Sequence, residues 1–303
     1  MSEKHSSLTR RRFIQVTGAL GAAVFQTAPT GGQPASNPPA SSSPQEKQLS
    51  RIKVAQVKVY PEKGNLSENH QRLLAVLAKI EKAGPVDVVV TPEGFLDGYV
   101  STEKHVAKKD MIKYAIDPVN SEYTRAVSRW ARRRQSWVVF GCSRRADDGI
   151  YNTALIYNRR GDLIDMYDKL HLQTHDYKYT HGRHLNVYDS EFGRFGVMIC
   201  ADRRWPETTR TLTLKGARII FNPTYGMHGD LNLCMMRTRA YENGIYIIFT
   251  HPGQSLITGP RGNVVVKNDD DKQTYTITEI DLSRAKADQS GHIRDRRPDV
   301  YQL

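Results

Sequence analysis

Cysteine is scarce in this chain. Three occur among 303 residues, Cys142, Cys200 and Cys234, far apart and with no C-x-x-C spacing. That spacing argues against a zinc site built on thiolates, and the odd count leaves at least one thiol outside any disulfide within the chain. Apolar runs are short, and none is long enough for stable membrane insertion. No internal repeat stands out, and no nucleic-acid motif accompanies the basic residues. The net charge is +12; residues 1–48 hold five of the 44 Lys/Arg and two of the 32 Asp/Glu, so +9 belongs to the rest. Its densest cluster, Arg129 with Arg132, Arg133 and Arg134, falls at the end of an expected helix, where it suits the helix dipole. The surplus therefore points to small anionic ligands and not to nucleic acid.

The N-terminus has a composition of its own. Thr9-Arg10-Arg11-Arg12-Phe13-Ile14-Gln15 precedes an uncharged, Gly- and Ala-rich stretch that ends near Ala28. Residues 1–28 are expected to be a signal peptide whose paired arginines resemble the twin-arginine export signal. About 16 uncharged residues fall short of the roughly 20 that a spanning helix needs. Residues 29–50, rich in Pro, Ser, Gly and Gln, read as a disordered linker. The expectation is export by the twin-arginine machinery and work in the periplasm.

From residue 51 onward, strand and helix patterns alternate, as in a single layered α/β domain reaching residue 303. Strands are predicted over 51–59, 87–91, 137–142, 150–158, 163–167, 195–199, 218–221, 244–250, 255–258, 263–267 and 274–280. Helices are predicted over 67–83 with Ser67 as N-cap, within 103–134, over 206–215 and over 230–243. Residues 173–185, polar and rich in His and Tyr, read as a long functional loop.

Three of the buried strands end in a residue with chemistry to offer. Glu93 follows 87–91, Lys169 follows 163–167, and Cys200 follows 195–199; the three lie 76 and 31 positions apart. A carboxylate or an ammonium next to a buried strand is costly unless it is paired or employed. A thiol at a strand-to-helix turn sits on a rigid support, at the sheet edge where α/β enzymes bind ligands. Together the set suits amide chemistry, with a thiolate to attack carbon, a carboxylate to carry protons and a cation to hold the oxyanion. Arg203 and Arg204, just beyond Cys200, would lower the thiol pKa or hold an anionic substrate. The rival within enzymes is a Cys–His pair of Cys200 with His171 or His175. Outside them, the alternative is a structural buried cysteine.

Thr91-Pro-Glu93-Gly-Phe, Tyr167-Asp-Lys169-Leu-His-Leu and Val197-Met-Ile-Cys200-Ala-Asp-Arg-Arg-Trp-Pro-Glu207 resemble the three signature segments of the nitrilase (carbon–nitrogen hydrolase) superfamily. Arg237-Thr-Arg-Ala-Tyr-Glu242-Asn243 and Ser255-Leu-Ile-Thr-Gly-Pro260-Arg-Gly262 are similar to its later segments. The resemblance implies a four-layer αββα sandwich that pairs into homodimers or larger homo-oligomers. It implies Cys200 as nucleophile, Glu93 as general base and acid, and Lys169 with the Ala201 backbone N–H as oxyanion donors. No metal and no organic cofactor is implied. Many members carry a second glutamate in the loop after the lysine, but this chain has no Glu between Leu170 and Ser190. Asp176, with His175 beside it, is the nearest candidate for that place.

The sequence Cys-Ala-Asp-Arg-Arg-Trp-Pro-Glu is most similar to N-carbamoyl-D-amino-acid amidohydrolases, in which paired arginines grip a carboxylate. The expected substrate is therefore a small amide or ureido compound, carboxylate-bearing through contact with Arg203 and Arg204. A nitrilase proper and an exported, non-catalytic binding relative of the fold are the alternatives.

Overall fold

A computed structural model describes residues 49–286, 288 and 291–301. The expected signal peptide, and residues 29–48 of the expected linker, lie outside these described residues.

The strands are β1 (Arg51–Val57), β2 (Val88–Val90), β3 (Trp137–Ala146), β4 (Gly149–Tyr157), β5 (Leu163–Asp168), β6 (Val187–Tyr188), β7 (Phe195–Val197), β8 (Ile219–Pro223), β9 (Tyr246–His251), β10 (Gln254–Thr258), β11 (Val264–Asn268) and β12 (Tyr275–Asp281). They form two six-stranded sheets, ordered β12-β1-β2-β3-β4-β5 and β11-β10-β9-β8-β7-β6. Helices α1 (Leu66–Ala83) and α2 (Glu122–Arg134) cover the first sheet; α3 (Pro206–Leu214) and α4 (Asp230–Asn243) cover the second.

The layering follows from strand periodicity. In β2, Val88 and Val90 face the inter-sheet core with Phe195, Val197 and Phe221, while Val89 faces Leu73, Leu77 and Val127 on the helix side. A strand buried on both faces has to be apolar throughout, and β2 is. In the second sheet, Ile219 and Phe221 of β8 point inward, and Ile220 meets Leu212, Met236 and Ala240 of α3 and α4. The architecture is the four-layer αββα sandwich. Among the described residues, no helix is long and apolar enough to cross a membrane.

Several boundaries differ from the sequence expectation. The N-cap of α1 is Asn65, not Ser67, because the Asn65 side chain accepts from the Glu68 N–H at 3.0 Å. Strand β3 continues past Cys142 to Ala146, since the hairpin ladder with β4 runs on to Ala146 opposite Gly149. Residues 103–134 contain a 3₁₀ segment, Lys108–Tyr114, and then α2, with Asp117-Pro118 between them. The ladder of β7 stops at Val197, although the Met198 N–H still bonds the Phe221 carbonyl at 3.0 Å.

Candidate active site

Glu93 sits in the turn after β2, against Gly141 of β3. A Cβ on Gly141 would stand 2.3 Å from the Pro92 carbonyl oxygen, so only glycine lets this turn lie on the strand. The Leu96 N–H bonds the Gly141 carbonyl at 3.1 Å and fixes the approach. Glu93 is 0% exposed, and both its oxygens are occupied. Oε1 accepts from Lys169 Nζ at 2.7 Å and from Asn152 Nδ2 at 2.8 Å; Oε2 accepts from the Tyr225 N–H at 3.0 Å.

Lys169, which directly follows β5, is 1% exposed. Its ammonium also donates to Asp176 Oδ2 at 2.6 Å. Burial pulls its pKa down, but the charges of Glu93, Cys200 and Asp176 outweigh that, and the net shift is upward. Asp176 belongs to a 3₁₀ turn, Thr174–Lys178, inside the polar loop. Its Oδ1 takes the Tyr99 hydroxyl at 2.6 Å. Burial, then the charge of Glu93, pushes Tyr99 well above the usual phenol range, so it stays a donor. With that proton on Asp176, the contact of 3.0 Å between His175 Nε2 and Tyr99 Oη has histidine as donor. His175 is lowered, first by burial, and is neutral near pH 7.

Cys200 opens a 3₁₀ turn, Cys200–Arg204, with a left-handed backbone at φ +44°. A non-glycine residue there is strained, and surrounding bonds must hold it. Asp202 supplies them. Its Oδ2 accepts from the Ile199 N–H at 2.9 Å and the Tyr167 hydroxyl at 2.7 Å; its Oδ1 accepts from the His171 N–H at 2.9 Å and His171 Nδ1 at 2.7 Å. One carboxylate thus ties the thiol turn to both flanks of Lys169. His171 stacks on Trp205, with ring centroids 4.0 Å apart, and faces Asp202 rather than a sulfur. Arg239 of α4 donates to the carbonyls of Arg203 and Arg204 at 3.3 and 3.2 Å and closes the turn from outside.

Glu93 and Cys200 meet across two consecutive residues, Tyr225 and Gly226. The Tyr225 N–H holds Glu93, and the next residue, Gly226, packs on the thiol; a Cβ on it would lie 3.4 Å from Sγ. Cys200 is 8% exposed, and burial, then the charge of Glu93, pushes its pKa up. Ala201 follows it in the turn, where a backbone N–H has no acceptor within the helix.

The two arginines part company. Arg203 is buried, with Nη1 at 3.4 Å from Sγ of Cys200. Arg204 is exposed, and its guanidinium donates to the side-chain oxygen of Gln173. The structure thus brings Glu93, Lys169, Asp176, His175, Cys200 and Arg203 together and turns the Arg204 side chain toward the loop. Sequence reasoning missed Asn152, Tyr99, Tyr225 and the tying role of Asp202. Asn152 had a signal, being a polar residue inside an apolar strand. Tyr225 had none, because what holds Glu93 is its backbone N–H.

The sequence profile of the family described as carbon-nitrogen hydrolase matches residues 52–289. A nitrilase of Pyrococcus abyssi is 29% identical over 272 residues, 82% of this chain and 99% of that protein. The ω-amidase Nit3 of Saccharomyces cerevisiae is 27% identical over 283 residues, 83% of this chain and 95% of its own. The crystal structure of Nit3, a member of branch 10 of the nitrilase superfamily, superposes with a TM-score of 0.70 over 80% of this chain and 94% of that one, at 26% identity. N-carbamoylputrescine amidase of Arabidopsis thaliana is 28% identical over 193 residues, 52% of this chain and 64% of that protein. With the profile spanning most of the described residues, the chain belongs to the carbon–nitrogen hydrolase (nitrilase) family, as an enzyme of amidase type.

Proposed function

We propose that the protein hydrolyses the amide or N-carbamoyl group of a small, carboxylate-bearing substrate through an acyl or carbamoyl intermediate on Cys200. The observation that carries this is the pairing of Lys169 with the buried Glu93, whose other oxygen is held by the Tyr225 N–H, one residue before the Gly226 that packs on the thiol. Glu93 takes the Cys200 proton as sulfur attacks the carbonyl carbon. Lys169 and the Ala201 N–H receive the oxyanion. Glu93 then passes its proton to the departing nitrogen, and the C–N bond breaks. Water attacks the thioester or thiocarbamate with Glu93 as base, the C–S bond breaks, and the thiol regains its proton. Positioned proton transfer of this kind contributes roughly 10²–10⁴-fold.

Asp176 takes the place of the second loop glutamate by holding Lys169, with His175 behind it through Tyr99. The cation that supports the substrate carboxylate is Lys63, whose half-buried ammonium lies 4.4 Å from the Tyr225 ring centroid. The relatives named an ω-amidase and an N-carbamoylputrescine amidase support an amide or carbamoyl group as the bond attacked. The reading includes twin-arginine export to the periplasm and assembly as a homodimer or larger homo-oligomer, with no stable membrane insertion.

The test is ammonia release from a panel of ω-amides, N-carbamoyl amino acids, neutral amides and nitriles. Turnover of acidic amides or carbamoyl acids, abolished in Cys200→Ala, is expected. Turnover of nitriles alone would make it a nitrilase proper. No turnover, with Cys200 no more reactive to iodoacetamide than Cys234, would sink the reading in favour of a binding protein.

A further inference from the structure

We propose that Arg203 is a catalytic residue of the thiol, the fixed counter-ion of the Cys200 thiolate, and that it does not grip the substrate carboxylate. The inference rests on Cys200 being the nucleophile.

A buried cation needs an anion. Arg203 is 1% exposed, and among the described residues no carboxylate lies within ion-pair distance of it. Its guanidinium has three partners. Nε donates to Asn232 Oδ1 at 2.7 Å, Nη2 to the Met227 carbonyl at 2.6 Å, and Nη1 to Sγ of Cys200 at 3.4 Å. The first two are neutral acceptors, so the sulfur is the one partner able to carry negative charge. Phe249 closes one face, its ring centroid 5.4 Å from the guanidinium carbon.

The surroundings accept a penalty to keep this arrangement. Arginine only donates, so Asn232 must present its oxygen, and among the described residues its buried Nδ2 is left without a partner. With Nε and Nη2 anchored, Nη1 is aimed at sulfur. A carboxylate taking the guanidinium two-pronged would have to share Nη2 with the Met227 carbonyl, and either Nη1 with the sulfur or Nε with Asn232. Recognition of a substrate carboxylate then falls to Lys63.

A cation so placed acts twice. It favours the thiolate when the Cys200 proton passes to Glu93 and the sulfur electron pair forms the C–S bond. It does so again when that bond breaks, the pair returns to sulfur, and Glu93 gives the proton back. Burial and Glu93 raise the thiol pKa; Lys169 and Arg203 pull the other way.

The experiment follows iodoacetamide alkylation of Cys200 against pH in a Cys234→Ser background, for the parent, Arg203→Lys and Arg203→Gln. The midpoint should rise by about one pH unit or more in the Gln variant and by less in the Lys variant. In both, kcat should fall by the same factor on a neutral and a carboxylate-bearing amide, roughly tenfold or more for Gln, with little change in KM. An unmoved midpoint, with KM raised only for the carboxylate-bearing amide, would overturn the proposal. If the Gln variant does not fold, Asn232→Ala loosens one anchor and should move the midpoint in the same direction; a folded variant with no shift counts equally against it. If the parent turns over no substrate while the midpoint still shifts, the amidase reading fails and the thiol–guanidinium pair stands.

Discussion

On the first sheet's side of the site, Lys169 pairs with both Glu93 and Asp176; on the second sheet's side, among the described residues, Arg203 has no carboxylate and Asp202 has no lysine or arginine within ion-pair distance, Asp202's histidine partner aside. Asp202 and Arg203 are neighbours in one turn, yet they do not pair. Asp202 spends four acceptor positions on neutral donors and histidine, and so fixes the backbone around Cys200. Arg203 keeps its charge for the sulfur. The first half is a closed cluster whose members hold each other in place. The second is a rigid turn with one cation uncompensated until a thiolate forms. Removing a charge should therefore cost more stability in the first half than in the second.

Lys169→Met should break the first half most severely. It leaves the two buried carboxylates facing each other with no cation, a loss of about 3–5 kcal/mol in denaturant unfolding. Turnover should fall by roughly 10²–10³-fold or more as the oxyanion loses a donor. Adding Asp176→Asn removes one of the two stranded charges, so the double variant should recover part of the stability and none of the activity. A double variant no more stable than Lys169→Met would contradict the closed-cluster description.

Asp202→Asn sharpens the other side. An asparagine offers one oxygen in place of two, so about half of the four donors lose their acceptor, at about 2–3 kcal/mol in total. The strained Cys200 turn should loosen, and kcat should fall more than KM rises. If kcat is unchanged in a folded variant, the tie is not what holds the thiol.

Much of this is legible in the amino-acid sequence. The apolar runs that become β2 and β8 announce strands buried on both faces, and Glu93, Lys169 and Cys200 stand out because charge and thiol follow such strands. What sequence patterning could not supply is direction. Arg203 and Arg204 are the same residue type at adjacent positions, yet one turns inward and the other toward Gln173, because successive residues of a helical turn point about a third of a circle apart. Backbone donors such as the Tyr225 N–H carry no residue signature. Nor could the chain order reveal that Asp202 closes on His171 and Tyr167, since that contact exists only once the two sheets have stacked.

The smallest effect comes from two buried groups behind the halves, and their signs oppose. His251 of β9 lets Nε2 donate to the Tyr225 carbonyl at 2.8 Å while Nδ1 accepts from the Gly253 N–H at 3.0 Å, which fixes it neutral. Burial lowers its pKa to about 4. Between about pH 6.5 and 4 the unfolded chain therefore binds a proton that the folded chain refuses, and stability falls as pH falls, by up to about 3 kcal/mol. Asp97, which accepts the Ser143 and Val100 N–H groups behind Glu93, is raised by burial to about 6. There the folded chain binds the extra proton, so between about pH 6 and 4 stability rises as pH falls, by a similar amount. The two contributions nearly cancel in the parent protein. His251→Gln should expose the Asp97 contribution as a gain in unfolding free energy on acidification from pH 6 to 4, measured in urea at fixed ionic strength. If adding Asp97→Asn to that variant leaves its pH dependence unchanged, burial of Asp97 does not carry the charge penalty assigned to it.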